Sequence, residues 1–185
     1  DGNGDNCVNI LDFSLLRTAF GTCEGQSEFD HRVDFNGDGC VTILDFSLLR
    51  TNFALCGDIG IDAAQVAGTM TRLANVSIHV VPTSTVVAVG ETFTVPIQIQ
   101  TGEQPVDGAA AHLDFDPEYL RVIDKDGEET EAINGGDALP DELQNVVDNS
   151  AGTIDYAAGA LTTEPPLGRF DLGCIQLRAI TATEA

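Results

Sequence analysis

Two short stretches of the chain carry apolar residues at helical spacing. Phe13, Leu16 and Phe20 fall on one face of a segment that begins at Ile10, and Phe46, Leu49 and Phe53 repeat that face in a segment beginning at Ile43. From residue 76 the period drops to two. Strands are predicted over 76–81, 92–100, 109–115, 120–123, 146–149, 153–157 and 172–180, with the clearest alternation in Phe93, Val95, Ile97 and Ile99. Gly90-Glu91, Asp116-Pro117 and Ser150-Ala151-Gly152 supply the turns. Short strands without long intervening helices predict a β-sandwich or barrel. Pro96 has no N–H to give a ladder, which places its strand at an edge or beside a bulge. The acidic, glycine-bearing stretch 124–141 reads as a solvated loop rather than a lid. Between the two regions, 57–62 is turn-like, and 63–73 is a weak helix with Val66, Met70 and Leu73 on one side, either a spacer or a third packing helix.

The two helical stretches belong to an internal repeat. DGNGDNCVNILDFSLLR at 1–17 returns as DFNGDGCVTILDFSLLR at 34–50. Two copies make a paired module rather than a solenoid. In each copy, oxygen-bearing residues stand at loop positions 1, 3, 5, 9 and 12, the spacing that wraps a short loop around Ca²⁺. The first set is Asp1, Asn3 and Asp5, the Cys7 main-chain carbonyl, Asn9 through a water, and Asp12. The second is Asp34, Asn36, Asp38, the Cys40 carbonyl, Thr42 and Asp45. Gly39 fills the sharp-turn position, and Asn6 replaces it in the first copy, as asparagine tolerates the left-handed region better than most residues. An all-oxygen set fits a hard cation, and the expectation is two Ca²⁺ rather than Mg²⁺, which prefers a smaller octahedral site and retains water. Acidic turns alone would not explain two aligned loops that each lead into ILDFSLLR. Asp58 and Asp62 lack the full spacing, so no third site is expected.

Charge narrows the partners. The chain has 30 acidic against 8 basic residues, a formal charge of −22, and nucleic acid or an anionic membrane would demand a basic face. Two Ca²⁺ ions would bring −22 only to −18, so self-repulsion remains and assembly should respond to divalent ions or salt. No stretch approaches the roughly 18 apolar residues of a membrane span. The first residue is Asp1, with no Met and no apolar leader, so a processed or trimmed start is expected and export has to be argued from the cysteines. Cys7 and Cys23 are separated by 16 positions, as are Cys40 and Cys56, which predicts one local disulfide in each copy and leaves Cys174 as a small buried strand residue. Reduced buried thiols are the alternative. Zinc is disfavoured because no CxxC occurs and His31 stands alone nearby. Disulfides would place the protein outside the cytoplasm, extracellular or at a cell surface. Asn75-Val76-Ser77 has the acceptor spacing for N-glycosylation at Asn75.

Catalytic chemistry finds no foothold. His31, His79 and His112 are scattered without partners in pattern, and His79 and His112 read as strand residues. Asp114, Asp116 and Glu118 invite a paired-carboxylate reading, but DFDPEYL is a strand end followed by a turn. No phosphate-cradling glycine loop precedes a helix.

Residues 1–56, with both loops, Asp at position 12 and a helix after each, resemble a type I dockerin, the paired-loop calcium module that attaches extracellular proteins to cohesins. The resemblance implies a partner surface at loop positions 10 and 11 and the helix that follows: Ile10, Leu11 and Arg17, then Ile43, Leu44 and Arg50. Many family members carry Ser-Thr at positions 10 and 11, so Ile-Leu implies an apolar contact and an altered partner class, unless one or both pairs pack inside the chain. Near-identity of the copies implies two binding orientations related by about 180°. VGETFTV at 89–95, GAAAHLDFDPEYL at 108–120 and SAGTIDYAA at 150–158 resemble a cohesin, usually a nine-stranded jelly roll. The fold expected is therefore multidomain: a dockerin-like α-helical paired calcium-loop module at 1–56, a linker or short packing helix at 57–75, and an all-β jelly-roll sandwich at 76–185 that lacks an edge strand.

That combination implies a non-catalytic extracellular assembly protein. Its partner would be a cohesin-like domain in another protein or in another copy, the latter giving a head-to-tail homo-polymer, a filament or a matrix. A strand from a neighbour would cover the open edge. Two other readings stay open: a fragment of a secreted scaffold or enzyme that positions a separate catalytic subunit, and a carbohydrate-binding module, for which only Tyr119, Tyr156 and the phenylalanines offer an aromatic platform.

Overall fold

The computed structural model describes residues 1–57, 76–83 and 85–182. The chain divides into two compact units, one of Asp1–Ala74 with Leu161–Thr163 and the other of Asn75–Ala160 with Glu164–Ala185. The expected helix at 63–73 with Met70, and Asn75, lie outside the described residues, as do Asp58 and Asp62.

The first unit is built on α1 (Ile10–Ala19) and α2 (Ile43–Thr51). Each starts at a capping box. The Asn9 side chain accepts from Leu11 N while Asp12 accepts from Asn9 N, and Thr42 and Asp45 do the same for α2. The last loop position is thus also the third residue of the helix. Phe13, Leu16, Ala19, Val33, Val41, Phe46 and Leu49 form the core, with the Phe13 and Phe46 rings edge to face at 6.3 Å. Phe20 and Phe53, expected on that face, are only half-buried because each helix ends before it.

The disulfides correct the expected pairing. Cys7 joins Cys56 and Cys23 joins Cys40, across the copies instead of within them. The cause is the pseudo-twofold. Gly57 N donates to Asn6 O (2.9 Å), Val8 N to Leu55 O (2.8 Å) and Ala54 N to Val8 O (2.8 Å). The matching set is Glu24 N to Gly39 O, Val41 N to Thr22 O and Gly21 N to Val41 O, each 2.8 Å. Each loop therefore pairs antiparallel with the exit of the other copy's helix, and those exits carry Cys56 and Cys23.

The second unit is a sandwich of two antiparallel sheets. Its strands are β1 (Ser77–Val80), β2 (Thr92–Gln100), β3 (Gly108–Asp114), β4 (Leu120–Val122), β5 (Asn134–Gly135), β6 (Asp141–Asp148), β7 (Thr153–Gly159) and β8 (Arg169–Ala179). One sheet runs β1-β2-β8-β4 with β5 also on β8, and the other β3-β7-β6. Val95, Ile97 and Ile99 of β2 are buried against Leu172, Ile175 and Leu177 of β8, and Ile154, Tyr156 and Val147 close the core from the other sheet.

Of the two alternatives for Pro96 the structure takes the bulge: β2 is internal, not an edge, and its pairing with β8 shifts register between Ile97 and Gln98, one residue past Pro96. A strand residue points its N–H and C=O to the same side, and the Pro96 carbonyl accepts from Val81 N (3.0 Å) just past the end of β1, so its missing donor faces a place where the ladder stops. The stretch 124–141 is not a free solvated loop. It contributes Ile133 and Leu139 to the buried set and β5 to the sheet, and it is stapled on both sides. The Asn149 side chain accepts from Val122 N (2.8 Å) and donates to Val122 O (3.0 Å), and Asn145 does the same for Ile133 N and O (2.8 and 2.9 Å). β6 begins at Asp141 rather than 146, because outward Glu142 and Gln144 mask the inward Leu143 and Val147.

Candidate metal loops and docking face

In the first loop, side-chain oxygens turn inward because the backbone turns around them. Asp1 accepts from Gly4 N (2.7 Å) and Asn6 N (2.8 Å), Asn3 from Asp5 N (2.8 Å), and Asp5 from Cys7 N (2.9 Å). Asp12 is fully buried and accepts from Gly2 N (2.7 Å), Asn3 N (3.1 Å) and Asn9 N (2.8 Å). Against the upward pull of desolvation, hydrogen bonds from Asn3, Cys7 and Asn9 hold the Asp5 carboxyl below the usual aspartate value. Asn6 takes the left-handed conformation at φ 71° and Gly39 matches it at 86°. In the second loop Asp34 accepts from Gly37 N and Gly39 N (both 2.9 Å), Asn36 from Asp38 N (2.9 Å), and Asp38 from Cys40 N (2.9 Å). Buried Asp45 accepts from Asn36 N (3.2 Å) and Thr42 N (2.7 Å).

These residues fit a calcium ion. Asp1, Asp5 and Asp12 each bring a carboxylate oxygen within 4.8 Å of the others. Three like charges at that spacing, one of them fully buried, repel unless a cation lies among them. The donors are all oxygen, which suits a hard ion.

The partner residues expected from sequence divide. Leu11 is 47% exposed, Ile43 57% and Leu44 56%, so these three do not pack inside the chain, whereas Ile10 is half-buried. Arg17 and Arg50 stand in the last turns of α1 and α2, the first half-buried and the second exposed. Leu48 and Leu55, which the sequence reading did not single out, extend the apolar surface of the second copy. Leu48 and Leu55 line a groove of about 500 Å³ with Val8 and Phe35. For Leu48 the available signal was its position one helical turn after Leu44, whereas Leu55 lies beyond the end of α2.

In the second unit, Tyr156 is buried in the core and forms no platform, with its hydroxyl pushed above the usual tyrosine value by burial and then by Glu142. Cys174 is half-buried, and burial followed by Asp171 raises its thiol. Asp114 ends β3, and Asp116 caps the turn by accepting from Glu118 N (2.9 Å), as the turn reading expects. The His79 ring is within hydrogen-bond distance of the Ser77 hydroxyl (2.9 Å), a local contact. His112 Nδ1 lies 2.5 Å from Asp155 and Nε2 lies 3.6 Å from Asp114. Asp155, by hydrogen bond and charge, raises the ring above its ordinary 6.5. The stabilising contribution of the pair is therefore complete below pH about 6.5 and fades as pH rises through the elevated folded value. A proton NMR titration should place the His112 midpoint above 6.5, and Asp155→Asn should bring it down.

The geometry of the first unit has a counterpart among known families: residues 1–54 match the dockerin type I domain. That match falls within the first unit and covers both loops and both helices, and dockerin type I domains bind calcium. A β-sandwich follows that unit. The chain is similar to a type II cohesin domain from the cellulosome of Acetivibrio cellulolyticus, with 18% identity and a TM-score of 0.49 over 57% of this chain and 69% of that one. It is similar to type II cohesin A11 from Bacteroides cellulosolvens, with 16% identity and a TM-score of 0.46 over 60% of this chain and 71% of that one. A chain of a type I cohesin-dockerin complex from Clostridium thermocellum gives 12% identity and a TM-score of 0.45 over 59% and 75%. No curated protein matches the sequence. Among the described residues, no helix is long and apolar enough to cross a membrane.

Proposed function

We propose that the chain is an extracellular, non-catalytic assembly protein whose dockerin module binds two Ca²⁺ and docks onto a cohesin-type β-sandwich. The observation that carries this reading is the coupling of each loop to its helix. Asp12 and Asp45 close the two loops and are also the capping residues of α1 and α2, so loading a loop orders the helix that presents Leu11, or Ile43 and Leu44, to solvent. Asp1, Asn3, Asp5, the Cys7 carbonyl, Asn9 and Asp12 hold the first ion. Asp34, Asn36, Asp38, the Cys40 carbonyl, Thr42 and Asp45 hold the second. The two disulfides favour an oxidising location. The sandwich of a second copy is one acceptor for the module, and that contact is head to tail, so it propagates instead of closing.

Light scattering of the purified chain, with Ca²⁺ and after chelation, tests the last step. Growth that reverses on chelation supports self-assembly, and a monomer at saturating calcium assigns the module to a separate cohesin. For either partner, Ile43→Asp with Leu44→Asp should weaken binding by about a hundredfold or more in calorimetry, since two exposed apolar anchors become charged at a desolvated contact. The far-ultraviolet circular dichroism should stay unchanged, because neither side chain is buried.

A further inference from the structure

Each disulfide holds a residue that the calcium reading uses as a ligand. Cys7 and Cys40 occupy loop position 7, whose donor is the main-chain carbonyl. In an extended bridge, alternate residues turn their N–H and C=O to opposite sides. The Asn6 carbonyl and both main-chain groups of Val8 are turned toward the exit of the second copy, as Gly57 N to Asn6 O (2.9 Å), Val8 N to Leu55 O (2.8 Å) and Ala54 N to Val8 O (2.8 Å) record. Cys7 must therefore face the other way, into its own loop. Its N–H donates to Asp5 Oδ1 (2.9 Å), so its carbonyl lies on the ligand side as well. In the second copy Gly39 and Val41 pair with Glu24 and Thr22, while Cys40 N donates to Asp38 Oδ1 (2.9 Å). The side chains of Cys7 and Cys40 leave from this bridge and are bonded to Cys56 and Cys23.

We infer that the two cross-copy disulfides are positioning devices for calcium, each keeping the position-7 carbonyl of one loop aimed inward by clamping that loop to the other copy's helix exit. The exit at residues 54–57 is exposed and is also held to the first loop by three main-chain bonds and by the Asn6 amide, which donates to Gly57 O (3.1 Å). A clamp that prevents fraying spares the ordering cost at the moment of binding, which is the general route by which preorganisation raises affinity. The effect is local: Cys7–Cys56 serves the Asp1–Asp12 loop, and Cys23–Cys40 serves the Asp34–Asp45 loop.

This inference rests on the calcium reading, and the test separates the two. Gly4 N donates to Asp1 (2.7 Å) and Gly37 N to Asp34 (2.9 Å), so the two glycine amides report their own loops in nitrogen-15 NMR of the full chain. Each protein is loaded with calcium and titrated with a chelator of known affinity. With Cys7→Ala and Cys56→Ala, the Gly4 midpoint should weaken by about thirtyfold or more, the lower end of what a native cross-link contributes, while Gly37 stays within about threefold. Cys23→Ala with Cys40→Ala should give the reverse. Equal shifts at both glycines, or none, would overturn the inference, as would a variant that loses its fold at saturating calcium, since the clamp would then serve the whole module. If neither glycine of the unsubstituted chain responds, the calcium reading itself fails.

Discussion

If each loop holds a calcium ion as proposed, Asp12→Ala is expected to remove one of the two and to unfold the first unit at calcium concentrations that keep the unsubstituted chain folded. The carboxylate is fully buried and accepts three main-chain N–H groups, from Gly2, Asn3 and Asn9. Each donor left unsatisfied in a buried site costs about 1–3 kcal/mol. Loss of the ion adds about 4 kcal/mol of stabilisation that a ligand at a thousand times its dissociation constant supplies. Together these exceed what two short helices can withstand. Asp12→Asn separates the contributions, because its amide oxygen can still accept from Gly2 and Asn3 while its NH₂ cannot accept from Asn9. Calorimetric stoichiometry should fall from two to one in both variants, and the melting temperature should fall further in the alanine variant. Asp45→Ala should act on the second loop in the same way, through Asn36 and Thr42.

Ile97→Ala should cost the second unit about 2–5 kcal/mol, read as an earlier midpoint in urea with the calcium response of the first unit unchanged. Ile97 is fully buried at the centre of β2, opposite Gly173 of β8. A methyl group on Gly173 would come within 3.0 Å of Ile133, so the neighbourhood is already full and cannot flow into the cavity that alanine leaves. A unit that collapsed around the gap would show a loss near the lower limit. The two units make this a two-transition experiment, and a shift confined to the calcium-independent transition identifies the sandwich as its source.

Much of the local chemistry was legible. The loop spacing, the left-handed Asn6 and the alternation of Phe93, Val95, Ile97 and Ile99 each depend on residues within one turn or one strand, so the sequence pattern carries them directly, while the capping boxes at Asn9 and Thr42 came only from the structure. β2 accordingly has the bounds its alternation predicts. Where charge lay on the outward face, the pattern misled. Glu142 and Gln144 hid the start of β6, and the acidity of 124–141 hid the inward Ile133 and Leu139, because composition averages over two faces that a strand keeps apart.

The disulfides mark the boundary between the two kinds of information. The repeat dictates that Cys7 and Cys40 are equivalent, and Cys23 and Cys56 likewise, but pairing within copies and pairing across them obey that symmetry equally well. Only the antiparallel docking of one copy on the other, with Phe13 against Phe46 on its axis, brings Cys7 to Cys56 and Cys23 to Cys40. Pro96 makes the same point in the sandwich: its missing donor is read from one residue, but whether that matters depends on where β1 ends. Sequence determined the repeat, the turns and the periodicities, since these are properties of neighbours along the chain. Tertiary structure decided which distant segments meet, since that depends on how whole faces pack and no short window contains both partners.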